Sequence, residues 1–138
     1  MKEVSTVLAK SIPFCAHIGM QPGAEGVALP DTPELKNHVG TMHAGALYTL
    51  GETASGAAVM SELPELFGGL VVVKTASVAY RKPARGAITA VGKLAEPTEA
   101  VRARLEAEGK TVFDVEVSLT DPTGLEVAAM TVSWYAKR

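Results

Sequence analysis

One carboxylate stands alone in this sequence. From Val39 to Ser61 the chain reads VGTMHAGALYTLGETASGAAVMS, and apart from His43 its only acidic or basic side chain is Glu52. A carboxylate among small and apolar residues is costly to bury unless it has partners or a chemical task. Perturbed carboxylates gather at active sites without being confined to them. Just upstream, Asn37-His38-Val39-Gly40-Thr41-Met42-His43-Ala44-Gly45 places polar side chains and free backbone N–H groups at what reads as a helix start. Such an end can polarise a carbonyl or hold an oxyanion through its N–H groups and dipole. With Glu52 about two turns along the same helix, an electrophile and a base or nucleophile would be at hand. The plainer alternatives are that Glu52 accepts structural hydrogen bonds or faces a subunit interface.

The helix that carries these groups runs from Ala44 to about Leu63 and ends before Pro64. Leu47, Leu50, Ala54, Ala57 and Ala58 fall on one stripe, and Tyr48, Glu52, Ser55, Gly56 and Val59 on the opposite one. Neither is a solvated face, which predicts close packing all round. Upstream, Val4, Val7 and Leu8 have helical spacing, with Pro13 as the stop, and residues 17–29 make a glycine-interrupted strand candidate. The second half is β-rich, with strands expected near 70–82, 86–96, 111–121 and 124–137. The third alternates cleanly, Phe113, Val115, Val117 and Leu119 on one face, and Asp121-Pro122-Thr123-Gly124 turns it into the fourth. Thr98 is placed to cap a short helix holding Val101 and Leu105, with Gly109 past its end. One long helix packed on a curved antiparallel sheet buries all of this economically, an α+β architecture.

The bulk properties agree. A chain of 138 residues suits a single domain over residues 1–138, and 47% hydrophobic against 20% charged content excludes a disordered chain. A net charge of −2 leaves no basic footprint for nucleic acid or an anionic membrane. The apolar run Ala44–Ser61 is too rich in small residues, and too marked by its carboxylate, for a lipid-facing span. Without a signal-like apolar segment at the N-terminus, a cytoplasmic location is expected. The lone cysteine, Cys15, forms no intramolecular disulfide and reads as a buried thiol. His38, His43 and Glu52 match no strong metal-ligand spacing, so no metal is expected. Tyr48, Phe14 and Phe67 read as core or interface residues rather than an acyl pocket.

Asn37-x-x-Gly40-x-x-His43-Ala44-Gly45, with Glu52 nine residues after His43, resembles the active-site segment of hotdog-fold acyl-CoA thioesterases. These include the phenylacetate-pathway and 4-hydroxybenzoyl-CoA types. Tyr80-Arg81-Lys82-Pro83-Ala84 resembles the family's tyrosine-x-x-proline segment, and the likeness spans about Ile12 to Tyr135. The resemblance implies a helix wrapped by a five- or six-stranded antiparallel sheet. It also implies hydrolysis of acyl-CoA or acyl-carrier thioesters, with no cofactor beyond the coenzyme A of the substrate. Glu52 would be nucleophile or general base, the Ala44 N–H would polarise the carbonyl, Asn37 would orient carbonyl or water, and His43 and Gly45 would support the turn. Tyr80, Arg81, Lys82, Ser55 and Thr75 would contact substrate. The basic cluster Lys74, Arg81, Lys82 and Arg85 around Tyr80 reads either as an ordinary solvated strand end or as a patch for the phosphates of coenzyme A. The unit would be a homodimer, paired into a homotetramer, with the Asn37 loop and Glu52 of one site contributed by different subunits.

Two departures stand out. Ala44 replaces the family's usual first glycine of the turn, and Gly56 stands where some members carry a hydroxyl, with Ser55 one position early. A hotdog dehydratase is disfavoured because no Asp-x-Asn-Pro-x-His-type segment occurs. A noncatalytic acyl-CoA-binding or regulatory module shares the fold and is the remaining alternative.

Overall fold

The computed structural model describes residues 2–138. Helices α1 (Lys2–Ser11) and α2 (Pro13–His17) lead into strands β1 (Gln21–Pro22) and β2 (Val27–Leu29). The long helix α3 (Ala44–Glu62) precedes β3 (Leu70–Tyr80) and β4 (Ile88–Leu94), and helix α4 (Thr98–Glu108) precedes β5 (Lys110–Thr120) and β6 (Glu126–Lys137). The six strands form one antiparallel sheet in the order β1-β2-β4-β5-β6-β3, with α3 against its inner face. This is the helix-on-sheet architecture read from the sequence.

Small residues let helix and sheet approach closely. A Cβ added at Gly51 of α3 would stand 2.1 Å from the Met130 sulfur on β6, and one at Gly92 of β4 would stand 2.9 Å from the Ala54 carbonyl oxygen. Between these contacts, Leu50 and Val59 of α3 are buried with Ile88, Val115, Leu119 and Val132 of the sheet. Each such side chain contributes about 1.5–3 kcal/mol relative to leaving it in water.

Several local expectations are revised. Pro13 ends α1 and also opens α2 at its first position, where a missing N–H costs nothing. Val7 is exposed, and the inward residues of α1 are Ser5 and Ala9. The 17–29 candidate is a short β1–β2 hairpin. Thr98 does not cap α4: Pro97 takes the cap position with φ −60°, and Thr98, now the first helical residue, accepts a hydrogen bond from Arg102. Gly109 ends α4 in the left-handed region, as expected.

Strand β3 lies at the sheet edge, paired with β6 alone, and exposes Leu70 and Val72. Its register shifts between Val73 and Thr75. Val73 therefore lies opposite Trp134, whereas Thr75 lies opposite Ser133 on the other face.

The close approach at β4 gives a direct test. Gly92→Ala should destabilise the fold by about 1–3 kcal/mol, because its Cβ meets backbone rather than a flexible side chain. Urea denaturation should show a lower midpoint at an unchanged slope.

Candidate functional site

The loop before α3 is organised by Asn37. Its Oδ1 accepts hydrogen bonds from the Val39 and Thr41 N–H groups, and its Nδ2 donates to Thr41 Oγ1 at 2.9 Å. Gly40, with φ +84°, completes the turn. The His43 N–H donates to the Leu35 carbonyl and the Met42 N–H to the Ala84 carbonyl, which fixes the loop between its own start and the segment after β3. His43 then caps α3: Nδ1 accepts from the Gly45 N–H at 2.8 Å. The neighbouring Ala44 N–H has no acceptor among the described residues. It is the open donor at this helix end.

The Tyr80–Ala84 segment is laid beside that donor. The Tyr80 hydroxyl donates to the Ala44 carbonyl at 3.3 Å, and the Arg81 and Lys82 N–H groups both donate to the Val127 carbonyl. Asn37, Ala44, Tyr80, Arg81 and Lys82 thus line one depression of about 330 Å³. The Arg81 guanidinium lies 3.3 Å from Glu126 and remains largely exposed. The structure therefore brings together Asn37, Ala44 and the Tyr80 segment, residues far apart in the chain.

Glu52 opens elsewhere. It lies on the wall of a second, apolar cavity with Gly56, Met60, Val71 and Trp134, and its carboxyl group is half-buried. Burial pushes it above its ordinary value of 4.5, and among the described residues no donor or cation offsets that desolvation. From Ala44 to Glu52 the rise along α3 is about 12 Å, whereas attack on a carbonyl requires reacting atoms about 3–3.5 Å apart. Within one chain the two groups cannot serve the same carbonyl.

His43 and Gly45 support the turn without lining either depression, and two expected substrate contacts, Ser55 and Thr75, also lie outside both. The Ser55 hydroxyl is buried, donates to the Glu52 carbonyl at 2.6 Å and accepts from the Trp134 indole N–H at 3.1 Å. It ties the helix to the sheet beneath Glu52. Thr75 lies on the sheet face turned away from α3, because the bulge at Lys74 breaks the strict alternation that would have set it beside Val73. Lys74 is also distant from the Tyr80 segment, in a separate depression with Arg104 and Lys110. Phe14, Tyr48 and Phe67 are exposed rather than core, and Phe67 joins the wall of the Glu52 cavity. Sequence reasoning missed Trp134, Leu8 and Ile12 at that cavity. Trp134 left one usable signal, an indole N–H that needs an acceptor when buried.

Residues 2–136 match the family described as a domain of unknown function, DUF4442. No curated protein matches. Among solved structures, a protein of unknown function from Pseudomonas aeruginosa, described as "Probable Thioesterase", is 27% identical with a TM-score of 0.85, covering 98% of this chain and 93% of its own. A Bacillus halodurans protein crystallised with CoA is 25% identical with a TM-score of 0.72, over 98% of this chain and 85% of its own. A Shewanella oneidensis protein, 21% identical with a TM-score of 0.81 over 100% of both chains, shows likeness of fold alone. The fold is thus the hotdog fold, with one long helix and a six-stranded antiparallel sheet. No helix among the described residues is long and apolar enough to cross a membrane, and no group of side chains there could hold a metal ion.

The unpaired carboxyl predicts a pH signature. A folded-state value raised above 4.5 means that the folded protein binds the extra proton. The associated stability is present below 4.5 and is lost as pH rises through the raised value. Glu52→Gln, which removes the charge, should therefore raise the melting temperature at neutral pH, and the gain should vanish below 4.5.

Proposed function

The chain belongs to the DUF4442 family, and we propose that it is an acyl-CoA thioesterase whose reacting carboxylate is Glu52. The observation that carries this reading is the Glu52 carboxyl itself, half-buried, without a partner among the described residues and open to an apolar cavity. Ionised, such a group is a strengthened base, since its proton affinity lies closer to neutral pH than that of a free carboxyl. The thioesterase-type description of the Pseudomonas relative and the CoA in the Bacillus structure support thioester chemistry with coenzyme A as the carrier.

In this mechanism the thioester carbonyl accepts a hydrogen bond from the open Ala44 N–H, at the positive end of α3. Glu52 either removes a proton from water as the oxygen attacks the carbonyl carbon, or attacks that carbon itself to give an anhydride that water then cleaves. On either route the C–S bond breaks, the thiolate leaves and is protonated, and the acyl group departs as a carboxylate. Tyr80 holds the first turn through the Ala44 carbonyl, and Arg81 and Lys82 lie where a phosphate-bearing carrier would enter. Asn37, with its side chain engaged by Thr41 and Val39, acts by holding the loop.

The distance of about 12 Å between Ala44 and Glu52 along the helix supports a homodimer in which each site takes Ala44 from one subunit and Glu52 from the other. The unpaired edge of β3, with Leu70 and Val72 exposed, offers a surface for that pairing. Pairing of dimers into a tetramer belongs to the same proposal.

Glu52→Gln should lower turnover of acyl-CoA by about 10²–10⁴-fold. Ala44→Pro should keep the fold, because proline suits the first helical position and His43 has the extended ψ of 140° that a following proline favours. It removes the one open donor and should cost about 10²–10³-fold. Mixing the two variants under subunit exchange should regenerate one native site in each hybrid dimer, about a quarter of wild-type sites. An active monomer, or no recovery despite proven exchange, would refute the shared site.

A further inference from the structure

The cavity beside Glu52 has a volume of about 220 Å³. Its walls are Leu8 of α1, Ile12 between α1 and α2, Met60 of α3, Phe67, Val71 of β3 and Trp134 of β6. The polar groups on its lining are already engaged, with one exception. Thr53 Oγ1 donates to the Thr49 carbonyl and contacts Cys15 Sγ, and the Trp134 indole N–H is held by Ser55. Among the lining side chains Glu52 is the exception, since no donor or cation among the described residues offsets its burial.

We infer that this cavity receives the acyl chain, that it selects unsubstituted apolar acyl groups of limited length, and that Gly56 and Met60 set the limit. The inference rests on the reading of Glu52 as the reacting carboxylate. A carbonyl carbon within reach of Glu52 or its water carries two substituents, the sulfur and the acyl chain. The sulfur leads to a carrier bearing amides and phosphates, and burying those without partners is costly. These apolar walls offer no partners, so the carrier is directed away and the acyl chain inward. At the ~30 Å³ that a water-sized unit occupies in a liquid, the space holds about seven methylene-sized units. An acyl chain bearing a hydroxyl or carboxylate would strand that group against Leu8, Phe67 and Val71.

Gly56 gives the cavity its width. A Cβ built there stands 3.6 Å from the Trp134 ring, an ordinary contact, so alanine fits the fold while entering the space. A leucine would occupy much of it. Met60 lies on the same face of α3, one turn on, and closes the cavity in that direction. No motif pointed to Met60, and Gly56 stood out only as the position where some members of the resembled family carry a hydroxyl.

The test is a calorimetric binding series with S-alkyl-CoA thioethers, which cannot be hydrolysed, from ethyl through butyl, hexyl and octyl to dodecyl. Wild-type protein should bind more tightly with each added pair of carbons up to about octyl, and then gain nothing or weaken at dodecyl. Gly56→Leu should move the optimum to butyl or shorter, with about tenfold or more lost for octyl. Met60→Ala should move it beyond octyl, which keeps the test open if the leucine variant fails to fold. A matching shift in the chain-length profile of acyl-CoA hydrolysis should accompany each change. Length-independent binding, as when a second copy of the chain covers the cavity, would overturn the inference, and so would no binding or an unmoved optimum in both variants. The expected binding shifts without hydrolysis of any acyl-CoA would uphold the cavity's role and refute the thioesterase reading.

Discussion

The structure depends on how closely α3 can lie against its sheet. Gly51 against Met130 and Gly92 against the Ala54 carbonyl remove the side chains that would hold the two layers apart. Dispersion contacts weaken steeply with a gap of even a fraction of an ångström, so this approach decides how much of the core is packed. It also decides the chemistry. A helix gripped over most of its circumference has one stripe left to open, and Glu52, Gly56 and Met60 lie on it. The Ser55–Trp134 hydrogen bond fixes the rotation that puts them there.

That same grip holds the Ala44 N–H and Glu52 apart along the helix. The Ala44 N–H is held open at the N-terminus because His43 takes the Gly45 N–H and the Asn37 turn folds back on itself. Glu52 is fixed two turns away by the same rigid element. A straight helix cannot bring them together, so a shared carbonyl requires two copies of the chain. The edge strand β3 runs alongside the open stripe and has no partner on its outer side.

The sequence made the long helix and the later strands legible because their signals are local: an uncharged small-residue run ended by proline, strict alternation in β5, and a glycine-containing turn. Glu52 stood out for the same reason, as the only carboxylate in its segment. The misreadings had non-local causes. Thr75, expected among the substrate contacts, is turned to the other sheet face by the bulge at Lys74, which appears only once β3 is paired with β6. Ser55, also expected to contact substrate, is engaged instead by Trp134, which lies far along the chain. Thr98 was displaced as a cap by the preceding proline, whose fixed φ begins the helix one residue earlier. The walls around Glu52 come from α1, α3, β3 and β6 together with Ile12 and Phe67, and no short pattern could have assembled them.

If Glu52 acts on a thioester, the reaction releases a thiol that can be followed as it forms. Wild-type protein and hexanoyl-CoA, followed by a thiol reagent across the acid-to-neutral range, should give catalytic thiol release. The rate should climb as a single carboxyl ionises above 4.5, the ordinary value from which burial shifts Glu52. Absence of thiol release across the range, or a rate with no ionisation in it that survives in Glu52→Gln, would contradict the account.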